Sequence, residues 1–191
     1  MLWSSTNIQW GLQHGDISIN PLRDGAIQPA SVDLHLSDRP ILVWEYNSGT
    51  PIDPMDDNSE AMVSRPLEDG QWLLRPGEFA LASTIERIEI GATVAGRMEG
   101  KSSLARLGLV PHAAAGFFDP GFVGWPTLEL VNFVPRAIIL RPGMPIAQMS
   151  FIGMLSKPEH LYGEALGSKY QAQSADPQPS LYHRNTTGAS T

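Results

Sequence analysis

The chain has 191 residues, 42% of them hydrophobic, enough for one globular domain with its own core. Its formal net charge of −7 argues against a broad surface for nucleic acid or an anionic membrane, while leaving room for a local cationic pocket for a small polyphosphate. It contains no cysteine, which removes disulfides, thiol nucleophiles and every zinc site that needs Cys ligands.

The opening residues MLWSSTNIQW lack a basic segment followed by an apolar run, and no apolar stretch approaches the roughly 18 residues of a membrane span, so a soluble cytoplasmic protein is expected. Ser4 or Ser5 can cap a short helix with Ile8 and Leu12 on one face and Gly15 as its stop. Ser31 to Leu36 alternates apolar and polar residues as a half-buried strand does. Thr50 to Arg65 is acidic, contains proline and has no clear period, and reads as a loop excursion. Short β-like runs follow at Trp72 to Leu74, Phe79 to Ser83, Ile85 to Ile90 and Val94 to Met98. Leu74-Arg75-Pro76-Gly77 recurs as Leu140-Arg141-Pro142-Gly143, each time before an apolar strand, and Pro-Gly at the two central positions predicts a type II turn. With 16 Pro and 18 Gly, the pattern predicts many short strands in a β-rich barrel or jelly roll. The last 30 or so residues, rich in Gly, Ser, Gln and Pro with Tyr162, Tyr170 and Tyr182 among them, read by composition as a poorly ordered tail.

Chemistry-bearing residues gather between Glu99 and Phe133. Gly100 to Gly108 predicts a short helix with a Ser cap and a Gly at its C′ position, whose free N–H groups, with Lys101 and the Ser hydroxyls, can attract an anion. An ordinary capped helix with solvated Lys and Arg has the same spacing. Thr127 to Phe133 alternates, putting Glu129 on a face with Thr127, Val131 and Phe133. A carboxyl buried on such a face can move a proton near neutrality, whereas an outward Glu on a one-sided strand has no such role. His112, before three alanines, reads as a surface or satisfied core histidine. Asp119, in a turn flanked by Phe117, Phe118 and Phe122, either bonds its own turn or orients a water or sugar hydroxyl. Ala113 to Gly116 has almost no side-chain bulk and permits a ligand to lie against the backbone.

Taken in order, Gln28 to Leu36 (QPASVDLHL), Pro76 to Thr84 (PGEFALAST), EGKSSLARLGL, AGFFDPGF, TLEL, Arg141 to Gln148 (RPGMPIAQ) and Gly167 to Gln173 (GSKYQAQ) resemble the deoxycytidine triphosphate (dCTP) deaminases of the trimeric dUTPase superfamily over nearly the whole chain. The resemblance implies a mainly β fold, a distorted β-barrel or jelly roll with a few short helices, assembling as a homotrimer with sites between subunits. It divides the chain into a barrel over 1–160 and a C-terminal lid over 161–191 that orders on nucleotide binding. By the same resemblance Glu129 is the general acid/base that activates water for attack on C4 of cytosine. Ser102 and Arg106 position that water and stabilise the developing charge, and backbone around Ala115 reads the base edge. Lys101, Ser103, Tyr162, Lys169 and Gln173 resemble the triphosphate-contacting set, with Phe117, Asp119 and Tyr170 completing the nucleotide site. The partners implied are dCTP, dUTP and dTTP-type nucleotides and a second copy of the chain. Magnesium comes with the triphosphate and there is no zinc, the zinc deaminases needing one His and two Cys or three Cys.

Gly116 followed by an aromatic resembles the bifunctional members, which also cleave the triphosphate to dUMP and pyrophosphate, and Asp119 is then the residue that activates water toward the α-phosphate. The deaminase-only type carries a His-Arg pair at those positions and releases dUTP. A non-catalytic nucleotide-sensing homologue is the third reading, and it need not keep Glu129. The run Ala113-Ala114-Ala115 departs from the family at its middle position, where a hydroxyl residue accompanies inhibition by dTTP. Pro126 cannot donate to a central ladder and is expected at a strand start, an edge or a bulge.

Overall fold

The structure, a computed structural model, describes residues 1–44 and 51–185. Thr50, the first residue of the expected loop excursion, and 186–191 of the tail lie outside the described residues. Helix α1 (Ser5–His14) leads into strands β1 (Ile17–Asn20), β2 (Ile27–Gln28), β3 (Ser31–His35) and β4 (Ile41–Trp44). Strands β5 (Met62–Arg65), β6 (Trp72–Leu74), β7 (Phe79–Ser83), β8 (Arg87–Ile90) and β9 (Val94–Gly100) precede a one-turn helix, α2 (Ser102–Ala105). Strands β10 (Leu109–Val110), β11 (Phe117–Phe118), β12 (Val123–Gly124), β13 (Thr127–Asn132), β14 (Ile138–Leu140) and β15 (Pro145–Gly153) complete the barrel.

Two five-stranded antiparallel sheets, in the orders β10-β13-β7-β4-β5 and β11-β9-β15-β3-β2, form its walls. Leu128 and Leu130 of β13, Ala80 and Ala82 of β7 and Val43 of β4 join Val32 and Leu34 of β3, Met98 of β9 and Met149 and Phe151 of β15 in one continuous core. Two sheets that each bury one face can only do so against each other, which makes this the jelly-roll-like barrel the turn-rich composition predicts.

Local signals explain most element ends. Ser4 caps α1 through Asn7, and Gly15 ends it at φ 79°. Gly77 and Gly143 stand at φ 71° and 78°, with Glu78 N–H bonding Arg75 O and Met144 N–H bonding Arg141 O, so both Leu-Arg-Pro-Gly segments make the expected turn. Pro126 lies immediately before β13, where no ladder donor is required of it.

Two expectations are corrected. Met62–Arg65, placed in a loop excursion, is strand β5, paired along its length with β4. Its partner strand, together with the Trp72 indole that donates to Arg65 O, supplies the order that its own period does not announce. The tail, poorly ordered by composition, packs on the barrel through 185. Its side chains bury little, but Gln171 donates to Gly121 O and accepts from Val123 N–H, and Ala172 N–H bonds Val123 O with Ala172 itself at φ 55°.

Polar pairs pin strand ends. The Glu86 carboxylate, 1% exposed, takes His35 Nδ1 at 2.6 Å and His35 N–H at 2.9 Å. Glu78, beside the first Pro-Gly turn, takes both guanidinium nitrogens of Arg65, at 2.6 and 3.0 Å, and Arg75 N–H at 2.8 Å. Burial pushes the Glu78 carboxyl up, but the hydrogen bonds from Arg65 and Arg75 outweigh it and hold the group below its ordinary value. A depressed folded-state value means stability that is present above the unfolded-state value and is lost as pH falls through the folded one. Glu78→Gln is therefore expected to cost about 1–3 kcal/mol at pH 7 and to flatten the decline of stability with acid. Urea unfolding between pH 7 and 3 checks both, and parallel acid limbs for the two proteins contradict it.

Candidate functional site

The site is built on the outward face of β13. Leu128, Leu130 and Asn132 point into the core, so the two-residue period turns Thr127, Glu129 and Val131 to the opposite face. The sheet register continues that face sideways: Glu129 pairs with Leu81, Leu81 with Leu42, and Val131 with Phe79. At the far edge Trp44 pairs with Met62. This floor of Thr127, Glu129, Leu81, Phe79, Trp44 and Met62 lies under a cavity of about 520 Å³. Its walls are the 112–122 segment and the C-terminal tail.

The Glu129 carboxylate accepts a hydrogen bond from Ala114 N–H at 2.9 Å, and Glu129 N–H bonds Pro111 O at 3.1 Å. Strand and loop thus hold each other, with the acid facing the cavity that Ala115 also lines. Gly116 makes the loop possible. A Cβ there would lie 2.6 Å from the Met98 carbonyl oxygen, which sits on the backbone and cannot swing away. Phe117, Asp119, Phe122 and Tyr162 line the adjoining wall, where Phe118 and Phe122 meet edge to face at 4.9 Å.

The tail roofs the cavity through specific bonds. Tyr162 N–H bonds Pro120 O, Tyr170 N–H bonds the Tyr162 hydroxyl, and Leu181 N–H bonds the Tyr170 hydroxyl. Gln173 forms a bridge to Gly124 and its amide donates to Trp125 O; a Cβ at Gly124 would meet Gln173 atoms at 2.9–3.1 Å. Ser83 Oγ donates to Ala175 O, and Gln178 N–H bonds Thr127 Oγ1. Burial pushes the Tyr162 phenol up, with nearby Asp119 adding to the effect, so its hydroxyl keeps its proton at neutral pH. Because that oxygen accepts from Tyr170 N–H, the proton remains available to donate.

Of the residues singled out in the sequence, the cavity brings together Glu129, Ala115, Phe117, Asp119, Tyr162, Tyr170 and Gln173. Ser102, Ser103 and Arg106 do not line it; they are exposed on and just after α2. Lys101 pairs with Asp33 at 2.5 Å, and Lys169 lines a neighbouring hollow with Ser168, Gln171 and Arg184. Two readings change, those of the helix near Gly100 and of His112. The helix near Gly100 to Gly108 spans only Ser102–Ala105, with Lys101 and not a serine at its N-cap and no side-chain cap bond. One turn aligns few peptide dipoles, which leaves the side chains of this segment a larger share of any anion grip. Asp119 is exposed, with Pro120 the buried member of its turn. His112 is neither a surface nor a satisfied histidine: both ring nitrogens are buried without a hydrogen-bond partner, against the cavity. Leu81 and Phe79 were recoverable from alternation in a partner of β13, whereas Trp44, Met62, Gln178 and Ser180 required the register and the path of the tail.

Among the described residues, no three His, Asp or Glu side chains gather where they could hold a metal ion, and no helix is long and apolar enough to cross a membrane. The dCTP deaminase-like family model matches residues 2–154. The chain is 46% identical over 187 residues to a Corynebacterium glutamicum (strain R) protein named dCTP deaminase, dUMP-forming, covering 97% of this chain and 98% of the relative. It is 44% identical over 187 residues to a protein of the same name from Bifidobacterium animalis subsp. lactis, covering 97% and 96%. Its fold is shared with the crystal structure of 2′-deoxycytidine 5′-triphosphate deaminase from Agrobacterium tumefaciens, with a TM-score of 0.61 and 20% identity over 78% of this chain and 47% of that one.

The contact at Gly116 has a measurable consequence. Gly116→Ala is expected to cost about 1–3 kcal/mol and to pull Ala114 away from Glu129. Urea unfolding reads the first, and a crystal structure of the variant the second. An unchanged unfolding midpoint would show that the loop yields freely.

Proposed function

The chain belongs to the dCTP deaminase-like family, and on that premise we propose that it hydrolyses dCTP at C4 and then cleaves the triphosphate, releasing ammonia, dUMP and pyrophosphate. The observation that carries this reading is the Glu129 carboxylate, fixed by Ala114 N–H on the floor of a cavity that also holds Asp119. Glu129 takes a proton from water as its oxygen bonds to C4, then returns it to the amino nitrogen as the C4–N bond breaks. Fixed acid/base chemistry of this kind supplies on the order of 10²–10⁴ in rate. Exposed and some residues away on the wall, Asp119 activates a second water toward the α-phosphate, with pyrophosphate leaving. The name of these relatives, dUMP-forming, and Gly116 followed by the aromatic Phe117, as in the bifunctional members that the sequence resembles, both support the second step.

Ser102 and Arg106 complete the site from a neighbouring copy in a homotrimer. Their exposure on this chain and absence from its own cavity support that arrangement. They position the attacking water and stabilise the charge built up at C4. Lys101 and Ser103, which flank Ser102, enter from the same neighbouring copy and contact the triphosphate together with Lys169, Tyr162 and Gln173; magnesium enters as part of the substrate. The tail over 161–185 acts as a lid, its Tyr162 proton free for a phosphate oxygen.

Incubation with magnesium and dCTP, followed by an ammonia assay and separation of nucleotides, tests the reading. Ammonia with dUMP and pyrophosphate is the expected result. Accumulation of dUTP alone leaves a deaminase without the second step, and no ammonia at all overturns both in favour of a nucleotide sensor. Glu129→Gln should lower deamination by at least about 10²-fold, whereas Asp119→Asn should keep ammonia release and stop at dUTP. Mixing inactive Glu129→Gln with inactive Arg106→Ala subunits, after exchange, should restore part of the activity if sites are shared between copies.

A further inference from the structure

One motif is left without a task by the cavity: Ser31 to Leu36, formed by β3 and the residue after it, in the sheet opposite the one that carries Glu129. On the outward face of the second sheet, β15 runs between β3 and β9, and Gln148 is cross-strand partner to Asp33 on one side and Glu99 on the other. The Gln148 amide donates to Gly100 O at 3.1 Å, and its oxygen accepts from Ser31 Oγ at 3.1 Å. Asp33 Oδ1 lies 2.5 Å from Lys101 Nζ, and both side chains are largely covered, 14% and 21% exposed. Glu99 is separately engaged by Arg97. Each carboxylate in the row therefore has its own cation, and Asp33 is committed to Lys101.

This brace acts where the chain has least to hold it. Directly after Lys101 comes α2, a single turn with no side-chain cap bond at its start. A lysine carries four rotatable side-chain bonds, and fixing them on ligand binding costs free energy that a prior contact removes. We propose that Asp33 is a positioning residue: it holds the Lys101 ammonium extended and aimed for a phosphate of the bound nucleotide, while Ser31 and Gln148 fix the Gly100 backbone from which Lys101 projects. An ammonium has three donors, so one bond to Asp33 leaves two for phosphate oxygens. The proposal rests on the reading of Lys101 as a triphosphate contact.

Steady-state kinetics on dCTP with Asp33→Ala, Asp33→Asn, Lys101→Met and the Asp33→Ala/Lys101→Met double variant test it. Asp33→Ala should raise KM roughly three- to tenfold with kcat changed by less than about twofold. Asp33→Asn, which keeps the acceptor oxygen without the charge, should fall between it and the parent. In the Lys101→Met background the Asp33 substitution should have no further effect, since its action passes through that ammonium. The proposal is overturned if Asp33→Ala leaves KM unchanged or lowers it, the latter marking Asp33 as a competitor of phosphate. An equal rise in KM with and without Lys101, accompanied by a lower melting midpoint, also overturns it and assigns Asp33 to the fold. A Lys101→Met variant with parental KM instead removes Lys101 from the phosphate site, a failure of the underlying reading that the single variant reveals by itself.

Discussion

Strand β13 carries Leu128, Leu130 and Asn132 into the core on one face and Thr127, Glu129 and Val131 outward on the other, where Thr127 and Glu129 line the cavity, so its register decides packing and chemistry together. A slip of one residue would drive the Glu129 carboxylate into an apolar core and leave leucines on the cavity floor. The strand has fixed ends that forbid the slip. Pro126 stands outside the ladder at its start. At its finish the fully buried Asn132 amide donates to Leu74 O and Arg136 O while its oxygen accepts from Val134 N–H. Satisfying all of these at once is possible in one register only. The hydrogen bond from Ala114 to Glu129 is then a consequence, because the 112–116 loop closes over a strand that cannot shift.

Polar pairs, one buried and one half-buried, extend the same logic around the barrel. His35 with Glu86 ties the end of β3 to the segment between β7 and β8, and Arg65 with Glu78 ties β5 to the turn that enters β7. Removing one partner from such a pair leaves an uncompensated charge, which is costly even where the intact pair adds little net stability. Their effect is to exclude alternative pairings of short strands whose apolar residues would tolerate several. A barrel of many short segments depends on such exclusions more than a bundle of long helices does.

Much of this was legible in the sequence because it is carried by local chemistry. The α1 caps, the two Pro-Gly turns and the alternation of β13 are properties of a few adjacent residues, and they appear where expected. What sequence could not show arises from pairing between distant segments. β5 is a strand because β4 lies beside it; Trp44 and Met62 reach the cavity floor through register across the sheet. His112 misled for a related reason: its neighbours are small and bland, and only the closure of its loop strips both ring nitrogens of partners. The proposed acid Glu129 and the wall residues Ala115, Phe117 and Asp119, singled out in the sequence, do line one cavity. Their separation from Ser102, Ser103 and Arg106 on this chain is a property of the three-dimensional path.

The way the tail is attached bears on time as well as on shape. Between 161 and 185 the single buried residue among those described is Pro177, so the segment contributes little to the core. It is held by hydrogen bonds, each contributing about 1 kcal/mol net, and Ala172 is held in a left-handed conformation that opposes docking by roughly 1–2 kcal/mol. Such a segment forms its own unit of local stability and can detach and return many times while every strand of the barrel stays paired. How firmly the tail stays on the barrel is thus set by a few amide and hydroxyl contacts and not by the global unfolding free energy. Changes that harden the barrel and changes that alter the tail's attachment act on separate quantities, and either can be adjusted without altering the other.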